Sequence, residues 1–271
     1  FAPRVTAKIT MRGHEIMRIT KQLIESQGYQ VIYGDTDSTF VWLRDPHTDE
    51  QAQKVGYQLR DHVNNWWKQH LKEEWQLDGV LELEYETHYR RFLMPTIRGT
   101  DQGSKKRYAG LSQDTMVFKG LETIRSDWTP LAQNFQKELY TRIFYRQPYR
   151  EFIRDYIHAI RSGEYDDRLI YRKRLRRKLS DYQRNVPPHV RAARQADEYN
   201  LQLQRPLQYQ NGGWISYIIT QAGPEPLETV TAKPDYEHYI LKQIKPIADG
   251  ILPFLQDDFD AILTGQINLL F

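Results

Sequence analysis

A chain of 271 residues, 39% hydrophobic and 13% aromatic, can bury a sizeable core as one large domain or two modest ones, which excludes an intrinsically disordered polypeptide. It has no cysteine, excluding disulfides and thiolate metal sites, and no apolar run nears the roughly 20 residues of a membrane helix. The net charge of +3 is unevenly spread: residues 1–127 hold 18 basic and 18 acidic side chains, residues 128–200 hold 16 and 9 (+7), and residues 201–271 hold 4 and 8 (−4), so a polyanion would be held mainly by the middle segment.

Taken in order, Val5, Ile9, Ile16, Ile19 and Leu23 recur at helical spacing, with Gly28 as the stop. "YQVIY" and "STFVWL" flank Gly34-Asp35-Thr36 and read as a hairpin. Thr48 with Gln51 forms a capping box for a helix to about Trp75, whose buried side carries Val55, Leu59, Val63, Trp66 and Leu71. Four strand candidates follow: "VLELEYE", "YRRFLMP", "KRYAGL" and "TMVFKGL". Helix dominates from Thr129 to about Arg161, broken at Pro148 and ended by Gly163. Then come a basic strand or loop at 168–178, a helix near 188–200, a strand at "WISYII", and a last helix from near Pro234 that Pro246 and Pro253 kink or end. The shift from sheet to helix near residue 127 coincides with the shift in charge and is the expected domain boundary. None of the eight histidines has the spacing of a zinc site, and all read as structural.

"YGDTDSTF" places Asp35 and Asp37 within a β-prone stretch. Carboxylates at i and i+2 on a strand share a face, and two that converge repel unless a cation neutralises them. Mg²⁺ binds through such oxygens together with substrate phosphates. The other reading makes Asp35 a turn residue and Asp37 a solvated edge residue. Apolar flanks imply a buried hairpin with less solvation available, which leaves both readings open.

This octapeptide resembles the motif C hairpin of family B DNA polymerases. "KKRYAGL" resembles their duplex-contacting segment, and "FKGLETIRSDWTP" their G-x-E-x-x-R-x-D stretch leading into the thumb. "YRKRLRRKLSDYQRNVPPHVRAAR" and "RPLQYQNGG" resemble the bacterial polymerase II branch, so the likeness covers essentially the whole chain. It implies an α+β fold: a partial palm of antiparallel sheet with packed helices at 1–127, a mainly helical thumb at 128–265, and a tail at 266–271. It also implies template-directed nucleotidyl transfer to a primer 3′-hydroxyl in replication restart or repair, with primer-template DNA and deoxynucleoside triphosphates as substrates. Asp37 matches the main metal ligand of a two-Mg²⁺ site, Asp35 its neighbour, and Glu84 a further acidic palm residue; otherwise Glu82, Glu84 and Glu86 are the exposed face of a strand.

The family's D-x-x-S-L-Y-P segment, its fingers lysine and its proofreading carboxylates have no match here. With Phe1 as the first residue, the expectation is a piece of a longer bacterial, cytoplasmic and nucleoid-associated protein, inactive by itself. Lys105, Lys106, Arg107 and Tyr108 would contact the duplex, with Lys106 and Tyr108 on one strand face; read alone, they are a solvated strand end. Arg172, Lys173, Arg174, Arg176, Arg177 and Lys178, with Tyr182 and Arg184, resemble the thumb surface that tracks phosphates, or form a solvated face. Gln266, Leu269, Leu270 and Phe271 resemble a peptide that docks on a sliding clamp, or else fold back onto the core. The alternative function is a non-catalytic DNA- and clamp-binding module on a palm and thumb framework.

Overall fold

The computed structural model describes residues 3–34, 37–79, 81–95 and 106–265. It divides into two compact units, Phe1–Leu93 with Gly110–Val117, and Met94–Ala109 with Phe118–Phe271.

In the first unit, α1 (Pro3–Ser26) and α2 (Asp49–Trp75) pack with a hairpin of β1 (Gln30–Gly34) and β2 (Thr39–Trp42). Thr48 caps α2 as its sequence requires: Gln51 N donates to Thr48 Oγ1 at 3.2 Å, and Thr48 N donates to Gln51 Oε1 at 2.9 Å. Such a cap contributes about 1 kcal/mol. The core joins Ile24 of α1 to Leu59, Val63 and Trp67 of α2. Of the double tryptophan, Trp67 is the buried member and Trp66 is half-buried, the reverse of the expected order. Both rings pack against the core, but among the described residues only Trp67 has an acceptor for its indole N–H, the buried Thr20 Oγ1 at 3.2 Å. Trp66 instead stacks on His70, with centroids 4.5 Å apart.

"VLELEYE" does not form a strand over its described residues. Its side chains alternate inward and outward from Leu81 to Glu86, yet Leu83 is tied to a side chain: Leu83 N donates to Asn64 Oδ1 at 2.7 Å, and Asn64 Nδ2 donates back to Leu83 O at 3.0 Å. An extended pattern was legible there, and the hydrogen-bonding partner was not. The other three candidates form β3 (Arg91–Leu93), β4 (Tyr108–Ser112) and β5 (Thr115–Lys119), bonded in that order.

In the second unit, the helices at 130–162 appear with the expected break: α3 (Pro130–Phe144) and α4 (Arg150–Ser162), the latter ended by Gly163 at φ 82°. Leu131, Phe135 and Leu139 pack with Ile153, Ile157 and Ile160 in a fully buried layer. A second layer is the antiparallel sheet β6 (Tyr171–Leu175), β7 (Gly213–Thr220) and β8 (Gly223–Pro226), against which α5 (Pro188–Gln202) packs. The last helical stretch is interrupted. α6 (Tyr236–Tyr239) passes through a π turn at Ile240–Ile244 into α7 (Lys245–Ala248), and α8 (Phe259–Thr264) follows. Pro246 has no N–H for a regular turn, and Lys245 N reaches back to Ile240 O. The wider turn carries the buried Gln243, whose Oε1 accepts the Thr129 hydroxyl at 2.9 Å at the start of α3.

Candidate functional site: a carboxylate hairpin and a cationic strand

The hairpin pairs Gln30 with Trp42, Val31 with Val41, Tyr33 with Phe40 and Gly34 with Thr39, and a bulge at Ile32 breaks the register. Phe40 anchors it, with its ring 5.5 Å from Tyr33 and 4.9 Å from Phe92. Strand β2 begins at Thr39, so Asp37 lies in the bend before it, exposed, rather than at a strand start on a buried ribbon. The physical reason is that a two-stranded ribbon with half-buried faces leaves Asp37, which lies beyond the ladder, in water. Asp35 lies outside the described residues. Glu84 is also exposed, in the unpaired segment.

Carboxylate oxygens are the donor type that Mg²⁺ prefers, so Asp37 fits such an ion in kind. Among the described residues, no cluster of three or more His, Asp or Glu side chains could hold one.

Lys105 lies outside the described residues. Lys106 sits in a turn at φ 62°, before β4 begins at Tyr108, so strand alternation does not reach it. The left-handed backbone interrupts the extended chain and removes the expected shared face with Tyr108. A built Cβ on Gly120 (φ +62°) would lie 2.1 Å from Lys106 O, so glycine is required for this close approach. Arg107 ion-pairs with the buried Glu122. Glu122 Oε2 also accepts from Gln136 Nε2 at 2.7 Å, and Gln136 Oε1 accepts Thr123 N at 2.8 Å.

The rest of the G-x-E-x-x-R-x-D stretch is wired in the same way. Asp127 accepts two bonds from Arg125, both 2.9 Å, and lies 3.3 Å from Lys173 Nζ. The Arg125 hydrogen bond, with help from Lys173, outweighs desolvation and holds the Asp127 carboxyl down to about 2.

On β6 the side chains alternate. Tyr171 and Leu175 are buried, Lys173 faces the same way, and Arg172 and Arg174 are exposed on the other side; Arg176, Arg177 and Lys178 continue exposed. Lys173 alone of these six enters an ion pair among the described residues. Tyr182 is half-buried, with its carbonyl accepting Arg194 at 2.6 Å, and Arg184 is exposed. The loop before β7 is held by the buried Asp197, which accepts Gln208 N at 2.7 Å and Gln210 Nε2 at 2.8 Å. Gly212 (φ +90°) then brings the chain to where a Cβ would stand 2.7 Å from Leu175 O. This docking sets Trp214 opposite Arg174, a neighbour that the sequence reading did not connect to the basic run. The signal was there: in "GWISY", Ile215 and Tyr217 point inward, so Trp214 must point outward.

The sequence pattern of DNA polymerase family B matches residues 1–249. The chain belongs to that family. It is 62% identical over 273 residues to DNA polymerase II of Escherichia coli, covering 99% of this chain and 35% of that protein. It is 30% identical over 260 residues to DNA polymerase 2 of Aeropyrum pernix, covering 91% of this chain and 28% of that one. The chain thus spans about a third of these relatives. The solved family B polymerase of Pyrobaculum calidifontis superposes with a TM-score of 0.55 at 24% identity, covering 92% of this chain and 30% of that one, a likeness of fold. The expected mixture of helices and small antiparallel sheets and the family resemblance are both borne out. No helix among the described residues is long and apolar enough to cross a membrane.

Proposed function

We propose that this chain is the palm-derived and thumb part of a DNA-directed DNA polymerase of the polymerase II type, adding nucleotides to a primer 3′-hydroxyl on a DNA template. The observation that carries this reading is family membership across residues 1–249 together with an exposed aspartate, Asp37, in the bend that leads into a ribbon anchored by the Phe40 aromatic cluster. In this reading residues 1–127 are palm and 128–265 thumb. Asp37, with Asp35 beside it and Glu84 as a further candidate, would hold Mg²⁺ with donors from elsewhere in the intact enzyme. The bound ions would activate the attacking hydroxyl and stabilise the leaving pyrophosphate. Lys105, Lys106, Tyr108 and the exposed cations of 172–178 would hold primer-template DNA. Gln266, Leu269, Leu270 and Phe271 would dock on a sliding clamp, an assignment supported by the end of α8 at Gly265 in the left-handed conformation (φ 72°). All four lie outside the described residues, as do Asp35 and Lys105.

In the intact polymerase, Asp37→Ala should abolish nucleotide addition and leave primer-template affinity nearly unchanged, because only the metal and transition-state interactions are lost. Asp35→Ala should be milder. Equal, small losses in both variants would defeat the catalytic assignment and leave a DNA- and clamp-binding module.

A further inference from the structure

The exposed face of β6 and β7 combines two features that ordinary solvation does not explain together. Arg172 and Arg174 are exposed on β6, Arg176, Arg177 and Lys178 are exposed just past its end at Leu175, and none of the five enters an ion pair among the described residues. Such a set repels itself and calls for a polyanion. Beside the two strand arginines stands Trp214, 51% exposed, directly across the ladder from Arg174 and diagonal to Arg172. Arg172 Cζ lies 5.0 Å from the centroid of the indole, so one guanidinium already fixes the ring by a cation–π contact. The opposite side of the same strands is core: Tyr171 and Tyr217 stack there with centroids 5.2 Å apart. The strands that carry Trp214 and the two arginines are therefore packed from behind.

Phosphates account for the cations and not for the indole. A large apolar ring kept in water among arginines is matched by a ligand with both negative charge and a flat apolar face. Within a duplex the base faces are stacked on one another, and only the phosphates are offered. An unpaired nucleotide offers both.

We propose that the β6–β7 face is a binding site for single-stranded DNA, in which Trp214 stacks on an unpaired base while Arg172 and Arg174 hold the flanking phosphates. This deepens the reading of 172–178 as a DNA contact and rests on it. Base–aromatic stacking is sequence-tolerant, so the site would accept any template.

The test uses the full 271-residue chain in anisotropy titrations with an oligothymidylate and with a blunt duplex of equal length, at one salt concentration. Trp214→Ala should weaken oligothymidylate binding about tenfold and duplex binding less than about twofold, and Trp214→Phe should restore most of the loss. The exposed position predicts an unchanged melting temperature, which is checked on the same samples. Wild-type affinity for the oligothymidylate in Trp214→Ala, or an equal loss on both ligands, overturns the stacking site. A companion variant, Arg172→Ala with Arg174→Ala, separates the two levels. If it loses affinity while Trp214→Ala does not, stacking alone fails; if it binds both ligands as wild type does, the DNA-contact reading fails with it.

Discussion

Residues 105–108 and 172–178 both looked like cationic DNA contacts in the sequence, and the structure treats Arg107 and the second run in opposite ways. In the first region Arg107 is taken up by Glu122, as Arg125 further along the chain is by Asp127. In the second, Lys173 is taken up by that same Asp127, while its five neighbours are left to solvent. Charge density alone therefore does not locate a binding surface. What decides is whether a carboxylate faces each cation from within the fold: the wired cations position the backbone, and the spare ones are available to a polyanion.

The sharpest way to break this contrast is at Gly120. Alanine there would set a methyl against Lys106 O in a left-handed conformation, and should cost about 3 kcal/mol in urea unfolding. A loss below about 1 kcal/mol would mean that the 106–120 approach is loose and that the first region is not rigidly wired.

Next in size is Glu122→Gln, which leaves a partly buried guanidinium without its counter-charge. The loss should be about 2 kcal/mol, below the value for a fully buried pair because Arg107 is 32% exposed. Removing a negative charge should raise DNA affinity if simple electrostatics governs this segment. The wired reading predicts weaker binding instead, through a displaced Lys106 turn.

A smaller effect is titratable. The Asp127 carboxyl is depressed in the folded state from 3.8 to about 2, so its contribution is complete above about pH 4 and is lost as pH falls towards 2. Asp127→Asn should flatten the acid limb of stability against pH in that window. An unchanged limb would remove Asp127 from the network.

Much of this was legible in the sequence. The capping box at Thr48, the break between α3 and α4 and the Gly163 stop depend on local chemistry, and they formed where expected. What was not legible depended on distant partners. Trp67 rather than Trp66 went inward because Thr20 offers an acceptor 47 positions away. "VLELEYE" kept a strand's alternation without a ladder because Asn64 took its backbone bonds. At the candidate site, the hairpin and the basic strand could be read. Their exposure, the left-handed Lys106 and the pairing of Arg174 with Trp214 could not, since each is set by tertiary packing.

The salt dependence of duplex binding tests the division between wired and spare cations most directly. Affinity of the full chain should fall linearly on logarithmic axes with salt, at a slope of about 0.9 per phosphate contact. Neutralising Arg172, Arg174, Arg176, Arg177 and Lys178 to glutamine should collapse most of that slope, while Lys173→Gln, whose charge is spent on Asp127, should leave it unchanged. Equal reductions per charge removed, from Lys173 as from the other five, would contradict the account.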